Sequence, residues 1–125
     1  MKTLLIIAMG GALGAVLRYS ISSGLYHWLG RSFPYGTLAV NVLGSLLIGL
    51  LSILLIEKFS VSQDVKLGIV VGVLGALTTF STFSMDTIIL MEQGLLQKAL
   101  LNVLLNVVLC ISAAWLGVVW AKSMV

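Results

Sequence analysis

The feature that most limits what this chain can become is how rarely charge interrupts it. No lysine, arginine, aspartate or glutamate stands between Arg31 and Glu57, or between Lys98 and Lys122. Only 9% of the residues are charged and 60% are hydrophobic. A soluble domain carries roughly 25% charged residues, so the chain is read as an integral membrane protein. Crossing the hydrocarbon takes about 20 apolar residues, and a chain of 125 holds four crossings with short connections. The charges and Pro34, the one proline, place the crossings at about 3–26, 37–56, 66–91 and 95–121. The expected fold is all-α: a single four-helix transmembrane domain over 1–125, with neighbouring helices antiparallel. Lys2 followed by Leu4-Leu5-Ile6-Ile7-Ala8 has the look of a secretory signal. No small-x-small cleavage site leads into a polar mature start, so a retained first helix is expected. Cys110, the single cysteine, is expected to be a small packing residue.

Within the third apolar run, Gly75-Ala76-Leu77-Thr78-Thr79-Phe80-Ser81-Thr82-Phe83-Ser84 is the costly stretch. A membrane helix has no water to satisfy polar groups, and irregular backbone is tolerated there only when buried in protein or lining a cavity. Glycine is permissive and threonine resists helix, so Gly75 to Thr79 is a candidate helix break. Carbonyls released there could coordinate a small hard cation such as Na⁺. Phe80 and Phe83, three apart, lie on one helical face. A phenyl ring has a positive edge, which offers a small dehydrated anion weak attraction without a fixed charge to trap it. Ser81, Thr82 and Asn41 can donate hydrogen bonds to the same anion. The bland alternative is aromatic packing with hydroxyls bonded back to the helix.

Arg18 is the sharpest charge problem. An arginine at a helix centre costs about 2.5–3.5 kcal/mol on the insertion scale, against roughly −3 to −5 kcal/mol from the Leu, Ile and Val side chains of that segment. Insertion is feasible, with Arg18 either snorkelling or standing at a pore mouth where it concentrates anions. Lys2, Lys58, Lys66 and Lys122 share one side of a four-crossing chain, with Arg31 and Lys98 on the other. So weak a bias hardly decides orientation. Two opposite copies could then pair about an axis in the membrane plane, a symmetry that many transporters obtain from an internal inverted repeat. Thr37, Asn41, Ser45 and Ser52 form one stripe on the second helix; Asn102, Asn106, Ala113 and Gly117 form another on the fourth. Gly10/Gly14 and Gly68/Gly72 have the small-xxx-small spacing that lets helices approach closely. His27 beside Trp28 is expected to be an interfacial anchor, and Asp86 and Glu92 make no metal or acid–base site by themselves.

Three blocks now carry a resemblance: Gly10-Gly11-Ala12-Leu13-Gly14-Ala15-Val16-Leu17-Arg18-Tyr19, Gly36-Thr37-Leu38-Ala39-Val40-Asn41-Val42-Leu43-Gly44-Ser45, and Gly72 through Phe83. In this order and spacing the chain resembles the Fluc, or CrcB, family of fluoride channels over essentially its whole length. The resemblance implies an antiparallel, dual-topology homodimer in the bacterial inner membrane, with a broken third helix and two fluoride pathways. It implies no enzyme activity and no nucleic-acid partner, but passive export of cytoplasmic fluoride that gives fluoride resistance. The pathway residues it implies are Asn41, Phe80, Phe83, Ser81 and Thr82, with Ser112 on a fourth-helix hydroxyl track. Arg18 takes a structural or electrostatic role, and carbonyls of Gly75 and Thr78 hold a central structural Na⁺. Two rivals differ in class. A small exporter of organic cations calls for a carboxylate in the first helix, where this chain has Arg18. A non-transporting assembly subunit gives no reason for the set of Phe80, Phe83 and Asn41.

Overall fold

Backbone amides in hydrocarbon must bond within their own segment, which makes helices of the apolar runs. The computed structural model, which describes residues 1–125, has helices as its only regular structure, four of them long and apolar enough to cross a membrane. The protein is a multi-pass membrane protein. Helix α1 spans Lys2–Leu29 and stops at Gly30, whose φ of 79° a side chain would disfavour. Helix α2 (Tyr35–Ile53) enters directly after Pro34 and is prolonged by a wide π turn, Leu54–Lys58. The third crossing begins at Gln63, earlier than the charge pattern indicates, because Ser62 caps it by accepting from the Val65 N–H at 3.3 Å. It runs through α3 (Gln63–Leu67), a π stretch (Gly68–Leu74) and α4 (Gly75–Leu77), then resumes as α5 (Phe80–Glu92). Helix α6 spans Leu96–Ser123.

Packing follows the small residues. Helix α2 lies chiefly along α6, and α1 along the π stretch of the third crossing. A β-carbon on Gly49 or Gly117 would overlap backbone of the facing helix, and one on Gly10 or Gly14 would strike the Gly68 or Val73 carbonyl. Close backbone approach of this kind is the usual source of helix association where lipid is as apolar as leucine. The polarity of the fold is inverted relative to a soluble protein. Leu4, Met9, Val16, Leu104 and Ile111 face outward, whereas Thr37, Asn41, Thr79, Asn102 and Asn106 are buried.

Between α4 and α5 the backbone leaves the helix. Thr78 takes φ −89°, ψ 157° and Thr79 takes φ −153°, ψ 120°, both extended. Gly75 is helical, at φ −62° and ψ −35°. Glycine freedom is therefore not what opens the chain; the opening falls on two β-branched residues that suit extended backbone. The stop is anchored below by the packed trio Val40, Leu74 and Leu77. It is tied above by Thr79, whose Oγ1 accepts from the Thr82 N–H at 3.1 Å and so caps α5.

Candidate functional site

Two extended residues inside a membrane protein leave peptide groups that need partners. Thr79 finds both of its partners on one side chain. Its N–H donates to Asn41 Oδ1 at 2.8 Å, and Asn41 Nδ2 donates to the Thr79 carbonyl at 3.0 Å. The carboxamide pairs with the peptide as a neighbouring strand would. The second Nδ2 hydrogen of Asn41 goes to Asn106 Oδ1 at 3.1 Å. Asn106 Nδ2 in turn donates to the carbonyl and Oδ1 of Asn102 at 2.9 and 3.0 Å. Asn102 Nδ2 donates to Thr87 Oγ1 at 3.0 Å, and the Thr87 hydroxyl donates to the Phe83 carbonyl at 2.8 Å.

On one side of Thr79 lies a recess of about 430 Å³, lined by Asn41, Gly75, Thr78, Phe80, Phe83 and Asn106 among others. The Phe80 and Phe83 rings meet edge to face, centroids 5.3 Å apart and planes at 62°. Phe83 is buried, but Phe80 is 77% exposed and stands at the open side. Of the thirteen backbone hydrogen bonds made outside helices, none ends on the carbonyl of Gly75 or Thr78. Nowhere do three His, Cys, Asp or Glu side chains gather to hold a metal.

On the other side of Thr79 lies a recess of about 320 Å³ bordered by Arg18, Tyr26, Arg31, Thr37, Thr82 and Asp86. Thr37 Oγ1 donates to Asp86 Oδ2 at 2.7 Å, which gives this part-buried carboxylate a partner. The Arg31 guanidinium sits over the Tyr26 ring, 4.5 Å from its centroid, within cation–π range.

The residues singled out from sequence thus separate into groups. Asn41, Gly75, Thr78, Phe80 and Phe83 share the first recess, while Arg18 and Thr82 border the second. Ser81 is exposed and lies 3.2 Å from the Thr79 hydroxyl, in neither recess. Ser112 is exposed on α6, also outside both. Thr79 is expected in the helix break, and Thr37 and Asn106 on polar helix stripes, but the pairings Thr79–Asn41, Asn41–Asn106, Asn102–Thr87 and Thr37–Asp86 emerge only from the fold. The i, i+4 spacing of Asn102 and Asn106 was the available signal, since a carboxamide in hydrocarbon must find partners. Asp86, an acid toward the end of the third crossing, was another.

A family model described as "CrcB-like protein, Camphor Resistance (CrcB)" matches residues 5–118. The chain is 53% identical over 122 residues to the "Fluoride-specific ion channel FluC" of Methylococcus capsulatus, covering 98% of this chain and 54% of that one. It therefore spans about half the length of that relative. The proteins of the same description from Pseudoalteromonas translucida and Geobacter sulfurreducens are 57% and 47% identical, over 89% and 99% of this chain and 92% and 100% of theirs.

Proposed function

The chain belongs to the CrcB family, and from that premise we propose that it is a fluoride-selective channel, not an enzyme, exporting cytoplasmic fluoride passively. One observation carries the reading. The recess beside Thr79 gathers Asn41 and the two phenylalanines from sequence blocks that lie far apart, inside a membrane chain whose relatives are described as fluoride-specific. Its polar atoms lie among ring edges and apolar walls, a surrounding that can pass a small anion without a fixed charge to hold it. The proposed passage follows Asn41, Phe80 and Phe83. The hydroxyls of Ser81, Thr82 and Ser112, which lie outside this recess, are proposed as donors on its approaches, and Arg18 as the charge near its mouth.

The working unit of this proposal is an antiparallel homodimer of dual topology in the bacterial inner membrane. Three observations support it: the weak charge bias of the connections, the exposure of Phe80, and the open recess beside an exposed Gly75. A second copy would complete the walls. The carbonyls of Gly75 and Thr78, which take no backbone bond from outside the helices, suit a small hard cation. Bound there, Na⁺ would supply positive charge that ties the copies together. It is read as structural.

No fuel is required. From an acidic medium fluoride enters the cell as neutral HF, ionises in the less acidic cytoplasm and is trapped as the anion. A potential negative inside drives one charge with about 2.3 kcal/mol per 100 mV, enough for roughly a 50-fold outward gradient. Resistance to fluoride would follow. The test is fluoride efflux from proteoliposomes, read with a fluoride electrode and with chloride as control. Selective fluoride release is expected, and vesicles no leakier than protein-free lipid would end the reading.

A further inference from the structure

We propose that Asn106 is a positioning residue for the conduction path, and that Asn41 serves that path by holding backbone instead of donating to the anion. The proposal rests on the fluoride-channel reading above and changes what its central asparagine does. A carboxamide has two N–H donors and one acceptor oxygen. Both donors of Asn41 are occupied, by the Thr79 carbonyl and by Asn106 Oδ1. Its oxygen already accepts from the Thr79 N–H. What remains is an oxygen lone pair, which repels an anion. The amide cannot be turned the other way round, because the Thr79 peptide presents one N–H and one C=O in fixed order.

Asn106 completes this arrangement. Without its Oδ1, one N–H of Asn41 would be left unpaired in a site where Asn41 is 9% and Asn106 6% exposed. Leaving a buried donor unpaired is costly, and the amide would be free to swing toward the recess. The chain of bonds also closes on itself. It leaves the backbone at Thr79 and passes through Asn41, Asn106, Asn102 and Thr87. It returns at the Phe83 carbonyl. One end is Thr79, the cap of α5, and the other is in the first turn of α5, the turn that carries Phe80 and Phe83. The amides of α2 and α6 therefore set where those rings stand.

The experiment uses full-length protein in lipid with two readings: fluoride efflux, and deuterium uptake at the Thr79 amide. Asn106→Leu is expected to lower efflux tenfold or more and to speed Thr79 exchange at least tenfold. Asn41→Ala should do the same, and the double variant should be within twofold of either single one. Asn106→Ser, a smaller change that keeps an acceptor, should fall between the parent and Asn106→Leu in both readings. Parent-like exchange at Thr79 in both Asn106 variants would overturn the proposal, as would independent, multiplying losses in the double variant. The exchange reading does not depend on transport, so a parent protein that moved no fluoride would sink the channel reading and leave the clamp still measurable.

Discussion

The two recesses that meet at Thr79 are built from opposite materials. The larger is walled by rings, methyls and amides, with no charged side chain among its lining; the smaller holds Arg18, Arg31 and Asp86. The contrast has a physical logic for anions. Two opposite unit charges 4 Å apart attract by about 4 kcal/mol at an effective dielectric of 20, and by more as the surroundings dry. A guanidinium inside a dry neck would hold fluoride where it must let go, whereas the same group at a wetter mouth only raises the local concentration. Under the proposed function the pair would divide the labour, with charge gathering the anion and ring edges passing it.

The sharpest way to break it is at the rings. Phe83→Ile keeps an apolar side chain of moderate size but removes the edge, and fluoride efflux should fall tenfold or more while reconstitution yield stays near that of the parent. Phe80→Ile should follow in the same direction. Unchanged efflux in both would show that the larger recess works by shape alone. A smaller loss is expected at the wall between the recesses. Thr79→Val keeps the β-branch and removes the hydroxyl that accepts from the Thr82 N–H, a cap worth about 0.5–2 kcal/mol. Efflux should drop about fivefold, with faster hydrogen exchange at Thr82 and unchanged exchange in α6. Smaller again is the expected effect of Arg18→Gln. Efflux should fall about threefold near 0.01 M ionic strength, where the Debye length is about 30 Å, and recover toward the parent near 1 M, where it is about 3 Å. A loss that persists undiminished at high salt would move Arg18 from a gathering role to a structural one.

How much of this could be read from the chain differs between the two recesses for a definite reason. The four crossings are local properties: uncharged runs of sufficient length announce themselves. The Thr-rich stretch announces that something unusual happens near its middle, and Phe80 and Phe83 share a face because they are three apart. The position of the opening is not local. Composition marks Gly75 to Thr79 as the candidate break; within it Gly75 is helical and the backbone is extended at Thr78 and Thr79, where Asn41, 38 residues away, captures the peptide. The same holds for Asn106, which meets Asn41 across 65 residues, and for Asp86, whose partner Thr37 lies 49 residues back. Spacing along one helix shows that an amide will need a partner; only the packing of α2 against α6 says which partner it gets.

Arg31 provides the finest test of the division between gathering and passing. It lies in the connection between α1 and α2, exposed, with its guanidinium against the Tyr26 ring. Stacking holds the charge over the smaller recess instead of letting it wander, but water reaches it, so its field at the mouth is weaker than that of half-buried Arg18. Arg31→Gln should therefore lower efflux by no more than about twofold at 0.01 M ionic strength and leave it unchanged at 0.15 M, where the Debye length is about 8 Å. Arg31→Lys retains the charge but not the planar stack, so its efflux should lie between the two. Tyr26→Leu, which removes the ring beneath a retained arginine, should match Arg31→Lys if the ring's part is to steady the charge. Should Tyr26→Leu instead match Arg31→Gln at every salt concentration, the tether would matter as much as the charge, and the mouth of the channel would have to be described as a fixed structure instead of a diffuse field.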